Sequence, residues 1–326
     1  MTFHFELNLF MKKILSLLIR AAIIGGCLYY VFHDMDLAQF WAVIKHYGAF
    51  GMVVGIVASM LEYIPPVWRL MFLTGRQAGF VTCYKAQMLC LGLNNILPAK
   101  IGELAKALFL SQKTQLSFGQ GLGLIFWERF FDLNMLLGIG VVSVAFLGKL
   151  SVIAPLAGVV LTMWAMVAVF RLWPRSAELT SRLIPIERVR LFFLEIVNQL
   201  QLAARPRFFL DLSLISALVW AGYVLFTYFV FVWVAGLELS LAQTVTALAV
   251  SALGLAVPST PGGLGVYEAA MVFALSWYGV GKEEALAVAV AMRLIMYLPT
   301  VSLGLAVMAT SGFSLKQLRA EGEKTL

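Results

Sequence analysis

Two glutamate–arginine pairs at nearly equal spacing are the residues of this sequence that could do chemistry in an apolar setting. Glu103 precedes Arg129 by 26 residues, and Glu268 precedes Arg293 by 25. Both arginines lie inside long apolar segments, where a charge costs about 2.5–3.5 kcal/mol at the centre of a membrane helix. Two interpretations stay open, and they can coexist. The arginines bind a phosphate or carboxylate while the glutamates pair with them or carry protons, or both pairs are internal ion pairs that fix the local structure.

Two further carboxylates stand beside Arg129. Glu128 and Asp132 are four residues apart and share one face of a helix. We group them with Glu103 and Glu268 as residues for gating or proton coupling, because a pair that opens when a ligand arrives would act as a gate.

A break rich in proline and glycine precedes each of the two paired glutamates. Pro98 stands four residues before Gly102, and Pro261 four before Gly265. A proline fits the first turn of a helix, whose free N–H groups and positive dipole end favour an anion. If the chain re-enters the membrane at these prolines, two helix N-termini point towards its middle. The predicted substrate-binding residues are Asn95, Pro98, Lys100, Arg129, Pro261, Gly262, Gly263, Gly265 and Arg293.

Four polar residues near the first break have a second interpretation. Asn94 and Asn95 could satisfy backbone groups that the break frees. Lys100 and Lys106 could meet a lipid headgroup at the cytoplasmic mouth, or they could only mark the cytoplasmic side.

The elements that position these residues must be membrane helices. Of 326 residues, 61% are hydrophobic and only 13% charged, with a mean hydropathy of +0.91, whereas a soluble domain is about 25% charged. This composition predicts an all-α polytopic membrane protein and excludes a large soluble catalytic domain. The apolar segments lie at about 14–32, 48–64, 86–97, 119–147, 151–170, 208–236, 243–257, 264–279 and 285–310.

Three of these segments, 86–97, 243–257 and 264–279, are short for a span and border a proline–glycine break. Short apolar segments of this kind favour re-entrant structure. We therefore expect about six spanning helices plus two oppositely oriented re-entrant helical hairpins. They would form an inverted repeat within one membrane domain, 1–326. The first repeat covers about 48–147 and the second about 208–310. The alternative is that proline and glycine merely kink two helices.

The cations predict the topology. They place both termini and the connector at about 171–207 in the cytoplasm, and the acidic loop near 33–46 outside. The net charge of +7 is explained by this orientation, so no nucleic acid partner is expected. Apolar residues at helical spacing between Glu187 and Leu202 predict an amphipathic helix, which either lies in the membrane interface or packs as a connector.

The sequence has few residues that could bind a metal ion or a cofactor. The three cysteines form no CxxC pair, and the three histidines all precede the second apolar segment. We predict no metal and no cofactor.

The motifs Asn95-x-x-Pro98-x-x-x-Gly102-Glu103, Glu128-Arg129-x-x-Asp132 and Pro261-Gly262-Gly263-Leu264-Gly265-x-x-Glu268-Ala269 resemble the lysylphosphatidylglycerol synthase membrane-region family, whose members are also called flippase-like proteins. The resemblance covers roughly 10–312. It implies a multi-pass protein of the bacterial inner membrane, linked to moving lipids between leaflets. Relatives are associated with aminoacylated phosphatidylglycerol, polyprenyl-linked sugars or hopanoids. The soluble synthase domain fused to some members is expected to be absent, because the chain ends at Leu326, about 15 residues past its last helix.

We therefore predict a lipid transporter rather than an enzyme. Its partner would be an anionic phospholipid or a polyprenyl phosphate, and a homo-oligomer is possible. One alternative is a membrane-embedded enzyme acting on a lipid phosphate or polyprenyl-linked sugar. Its only candidate catalytic groups would be the carboxylates of Glu103, Glu128, Asp132 and Glu268. The other is a secondary transporter of small anions.

Overall fold

A computed structural model describes residues 22, 25–97, 100–146, 151, 153–202, 206–256, 261–314 and 317. Every regular element within these ranges is helical, as the sequence predicts. Most of the predicted first span, 14–32, lies outside the described residues, although 25–32 are helical.

The first half of the chain contains two long helices and several shorter ones. In order they are α1 (Leu37–His46), α2 (Gly48–Glu62), α3 (Ile64–Leu73), α4 (Phe80–Ile96), α5 (Ile101–Lys113), α6 (Phe118–Phe146) and α7 (Ile153–Leu172). The acidic stretch near 33–46 is therefore partly helical. Asp36 starts α1 by accepting the N–H groups of Ala38 at 2.8 Å and Gln39 at 3.1 Å, which is the usual role of an N-cap aspartate.

The second half of the chain also contains both long and short helices. In order it contains α8 (Pro174–Arg182), α9 (Glu187–Leu202), α10 (Pro206–Phe229) with a π-helical turn at Val230–Val234, α11 (Leu241–Ala256), a single 3-10 turn at Pro261–Gly263, α12 (Val266–Ser276) and α13 (Lys282–Thr310). The predicted amphipathic helix corresponds to α9. It packs against α6 and α7, and its Phe193 ring meets Phe170 edge-on at 5.4 Å.

Several stretches within the described ranges are long and apolar enough to cross a bilayer. They are Gly48–Leu73, Ile153–Leu172, Arg207–Val234 and Lys282–Thr310. These correspond to the predicted spans at 48–64, 151–170, 208–236 and 285–310. The predicted span at 119–147 is the 29-residue α6, which carries three charged residues within its apolar sequence. The chain is thus a multi-pass helical membrane protein.

The first of these spans is interrupted at its middle. α2 ends at Glu62 and α3 begins at Ile64, because Pro65 and Pro66 lack the N–H groups that would continue the hydrogen-bond ladder. The sequence predicts a helix end here. The structure adds that the helix restarts at once, so that Arg69 lies within the apolar stretch.

Two helical hairpins pack reciprocally against the two long helices. α4 packs on α5, and α11 on α12; α4 also packs on α13, and α11 on α6. The contact between α4 and α13 is backbone to backbone. A Cβ atom added to Gly92 would lie 2.7 Å from the Thr300 carbonyl oxygen and 3.0 Å from Gly304 Cα.

Candidate functional site

The first cluster of charges is centred on Asp132 of α6. Its Oδ1 lies 2.7 Å from Arg69 Nη1 and its Oδ2 lies 3.2 Å from Arg129 Nη1. Trp220 of α10 donates its indole N–H to Oδ1 at 3.4 Å. Arg129 Nε also lies 3.2 Å from Glu103 Oε1. Residues of α3, α5, α6 and α10 therefore meet at one carboxylate–guanidinium network, and it contains the predicted pair of Glu103 with Arg129.

The members of this network differ in exposure. The Arg69 side chain is 3% exposed, Asp132 17%, Glu103 19% and Arg129 48%. Two arginines face two carboxylates, so the formal charges balance. Arg129 is the most exposed member of the network.

The second carboxylate of α6, Glu128, pairs with Lys106 instead. Lys106 Nζ contacts Glu128 Oε2, and the side chains are 0% and 2% exposed. Gln87 Oε1 of α4 is a further acceptor at 3.5 Å from Lys106 Nζ. This burial contradicts the headgroup contact considered for Lys106 from the sequence, whereas its interpretation as a marker of the cytoplasmic side stays a prediction. The Lys106 ammonium group is buried inside the helix bundle, where a charge needs a counter-charge, and Glu128 provides it.

The second cluster surrounds Arg293 of α13. Arg293 Nε contacts Glu268 Oε1, so the second predicted pair is also present. Nη1 donates to the Gly262 carbonyl at 2.8 Å and to the Tyr297 hydroxyl at 2.6 Å, and Nη2 lies 3.4 Å from the Gly263 carbonyl.

Aromatic rings enclose this guanidinium from two sides. Its Cζ lies 5.1 Å from the ring centre of Tyr267 and 4.9 Å from that of Tyr297, within the range of a cation–π interaction. Arg293 is 9% exposed. Its donors therefore face the carbonyls of the second break, whereas Arg129 keeps an open side.

One glycine N–H group at each break has a side-chain acceptor from the protein. Asn94 Oδ1 accepts the Gly102 N–H at 2.8 Å, and Glu268 Oε2 accepts the Gly265 N–H at 2.7 Å. Asn94 thus satisfies a backbone group that the break leaves free, as one interpretation of the sequence predicts. Asn95 instead donates to the Thr300 hydroxyl at 3.1 Å.

The prediction that proline opens the second helix is wrong. Pro261 lies in the 3-10 turn, and α12 begins only at Val266. Gly262, Gly263 and Gly265 have φ values of 62°, 67° and 85°, which a right-handed helix cannot contain. The prediction for Pro98 falls outside the described residues.

The structure places Lys100 at the start of α5. It is exposed and adopts a left-handed backbone with φ of 53°, which is uncommon for a residue other than glycine. It remains accessible to a ligand that approaches the first break.

Sequence reasoning missed the roles of Arg69 and Tyr297 in the clusters, and it did not pair Lys106 with Glu128. All three residues have a recognisable signal in the sequence. Arg69 and Lys106 are flanked by apolar residues on both sides, and Tyr297 stands one helical turn after Arg293.

Two surface cavities lie away from both clusters. One, of about 510 Å³, is bordered by Tyr29, His33 and Lys282. The other, of about 490 Å³, lies between α8 and α9. Within the described ranges, no group of three His, Cys, Asp or Glu side chains could hold a metal ion.

Comparison with known proteins agrees with this architecture. The family model described as "Lysylphosphatidylglycerol synthase TM region" matches residues 17–304. A UPF0104 membrane protein from Methanocaldococcus jannaschii is 27% identical over 217 residues, which cover 65% of this chain and 91% of that protein. With a match across most of its length and with the predicted motif residues inside it, the chain belongs to the lysylphosphatidylglycerol synthase TM region family.

Proposed function

We propose that this protein moves an anionic lipid, either a phospholipid or a polyprenyl-phosphate-linked lipid, between the leaflets of the cytoplasmic membrane. The observation that carries the proposal is Arg129, whose side chain is half-exposed although it lies well inside a long apolar helix. It lies 11 residues from one end of α6 and 17 from the other, or about 17 and 26 Å along the axis.

A half-exposed arginine at this depth needs a polar neighbour on its open side. Hydrocarbon cannot solvate a guanidinium, so intramembrane charges face water-filled cavities, counter-charges or substrates. Arginine also presents a planar set of donors that matches a phosphate. An anionic headgroup would satisfy the open side of Arg129, while the acyl or prenyl tails stay in the bilayer.

Glu103 and Asp132 hold Arg129 in the absence of a ligand. A phosphate that binds Arg129 competes with Glu103, because both offer oxygens to the same guanidinium at about 3 Å. We assign Glu103 the role of a gate that releases Arg129 to the headgroup. Glu268 and Arg293, which are buried, hold the second break in shape.

The lengths of the hairpin helices support re-entrant structure. α4 and α5 have 17 and 13 residues, and α11 and α12 have 16 and 11. At 1.5 Å per residue they measure about 16–26 Å, against a hydrocarbon thickness of about 30 Å.

Their packing supports an inverted repeat. The first helix of each hairpin packs on the long helix of the other half, as a two-fold relation between the halves would produce. Broken helices in corresponding positions of two halves are typical of transporters with a midplane site. With both termini in the cytoplasm, the hairpins would open from opposite sides.

We propose transport rather than catalysis, and no cofactor. The family name refers to lysylphosphatidylglycerol, a lipid whose phosphodiester group fits a phosphate-binding arginine. The carboxylates that an enzyme would use are held by Arg69, Lys106, Arg129 and Arg293.

Transbilayer movement in proteoliposomes tests the proposal. The labelled lipids are an anionic phospholipid, a zwitterionic phospholipid and a polyprenyl phosphate, with labelled inorganic phosphate in a separate uptake assay. We expect selective movement of an anionic lipid, reduced about 10-fold or more by Arg129→Ala, since a hydrogen bond to a charged group contributes about 1.5–3 kcal/mol. Arg182→Ala is the matched control, because Arg182 is exposed and its ion pair among the described residues is with Glu178 one turn away.

The arms of the experiment separate the candidate functions. Movement that is unchanged by Arg129→Ala contradicts the assignment of the headgroup site. Uptake of free phosphate without lipid movement indicates a small-anion transporter, and a chemically altered lipid indicates an enzyme.

A further inference from the structure

Glu62, the last residue of α2, is a buried carboxyl group that has no counter-charge among the residues described by the structure. It is 7% exposed. Its Oε2 is fully enclosed and has no hydrogen-bond partner in the part of the chain that the structure describes. In the same part of the chain no lysine or arginine forms an ion pair with it, whereas Glu103, Glu128, Asp132 and Glu268 each have one.

The position of Glu62 is close to the middle of a membrane span. The apolar stretch Gly48–Leu73 has 26 residues, with Glu62 14 residues from its start and 11 from its end. These distances are about 21 and 17 Å along a helix. The helix is interrupted directly after Glu62, and such interruptions at membrane depth are tolerated only in protein-lined or wet surroundings.

Helices that carry both arginine clusters surround this position. α2 packs against α10 and α13, and Ser59, one turn before Glu62, donates to the Ile295 carbonyl at 3.3 Å. Tyr63 directly follows Glu62 at the break, and Tyr223 lies on α10, one of the helices that pack on α2. The titratable and charged groups on the segments around this break are Tyr63 at the break itself, Arg69 on α3, Tyr84 on α4, Tyr223 on α10, Tyr267 on α12, and Arg293 and Tyr297 on α13.

The two arginines among these groups are already neutralised. Arg69 is bound to Asp132, and Arg293 to Glu268. An ionised Glu62 would therefore be a buried charge without a partner, which is far more costly than a buried neutral acid. The neutral acid also gains a hydroxyl donor.

We propose that Glu62 is a proton-binding site, and that its protonation couples lipid movement to a proton gradient. The coupling rests on the proposed function; the proton site does not. In the conformation described here Glu62 holds the proton, and it releases the proton when the helix break opens to water on one side.

The helix α10 links this proton site to the headgroup site. It packs against α2, which ends at Glu62, and its Trp220 donates to Asp132 of the first cluster. A negative charge on Glu62 would add to the carboxylates that already attract the cations of the first cluster. An anionic headgroup would then compete less well for Arg129, so proton release favours release of the headgroup.

Infrared spectroscopy of the reconstituted protein tests the proton site without any transport. We expect a C=O stretch from a protonated carboxylic acid at neutral pH that is absent in Glu62→Gln, which keeps the shape and removes the proton. Glu238→Gln makes the same exchange at an exposed carboxylate, and should leave the band unchanged. A band that Glu62→Gln does not alter overturns the proposal. Glu62→Met provides a second variant if the glutamine variant does not fold.

Lipid movement under an imposed pH difference tests the coupling. With one proton per lipid, one pH unit shifts the steady-state ratio of the lipid between leaflets about tenfold. We expect this shift in the wild type and its loss in Glu62→Gln, which should still equilibrate the lipid. A variant that keeps the tenfold shift overturns the coupling. A wild type with the infrared band but without lipid movement refutes the proposed function and supports the proton site.

Discussion

Replacing Lys106 by methionine removes the cation of the most deeply buried ion pair in the described structure. Lys106 and Glu128 are 0% and 2% exposed, and breaking a buried pair on one side costs about 3–5 kcal/mol. Arg69 and Arg129 remain within electrostatic range of Glu128. We therefore expect the lower end, a loss of about 3 kcal/mol in the free energy of unfolding.

Adding Glu128→Gln to the same chain should restore most of this loss. The double variant no longer buries a charge, and replacing both members of a buried pair is often close to neutral. A coupling energy of about 2 kcal/mol in the double-mutant cycle is expected, within the range for directly contacting residues.

Unfolding by sodium dodecyl sulfate in mixed micelles, followed by tryptophan fluorescence, measures these differences. Glu103→Gln is the comparison variant, because its partner Arg129 is 48% exposed and exposed pairs contribute about 0.2–1 kcal/mol. Equal losses for Lys106→Met and Glu103→Gln, or a double variant no more stable than Lys106→Met alone, would refute the reasoning from burial.

Three further predictions concern the two breaks, and the same unfolding assay checks each of them. Gly102→Ala should prevent stable folding, since its Cβ would overlap the carbonyl oxygen of Cys90; a folded alanine variant would contradict the packing of the first hairpin. Asn94→Leu should cost about 1–3 kcal/mol, because the Gly102 N–H loses its acceptor at 2.8 Å, and an unchanged stability would mean that another group accepts this bond. Tyr297→Phe should cost about 1 kcal/mol, because the hydroxyl donates to the Gly262 carbonyl at 2.6 Å; a gain in stability would show that this bond is absent.

The membrane helices and the two glutamate–arginine pairs could be predicted from the sequence. Hydrophobicity is a local property, so the spans follow from composition alone. Glu103 with Arg129 and Glu268 with Arg293 could be paired because the same order of proline, glycine, glutamate and arginine occurs twice. A repeated order contains information about contacts that a single copy does not.

The remaining contacts depend on which helices pack together. Arg69 and Lys106 resemble the cations that orient a membrane protein, and only the packing of α3 and α5 on their neighbours shows that they are buried. Glu62 stands beside Pro65 and Pro66 and therefore resembles a helix end at the membrane surface. The helix restarts at Ile64 with the prolines in its first turn, and this restart places the carboxyl group in the middle of the span.

The backbone contact between Gly92 and Gly304 has a mechanical consequence. Where two helices touch without side chains between them, no layer of rotamers can rearrange to let one helix slide along the other. A Cβ added at Gly304 would lie 2.7 Å from the Met88 carbonyl oxygen. Neither glycine therefore leaves room for a side chain at this contact. If the two halves rock against each other during a transport cycle, we expect this crossing to move least. The largest displacements would then occur at the ends of α4 and α13 farthest from it.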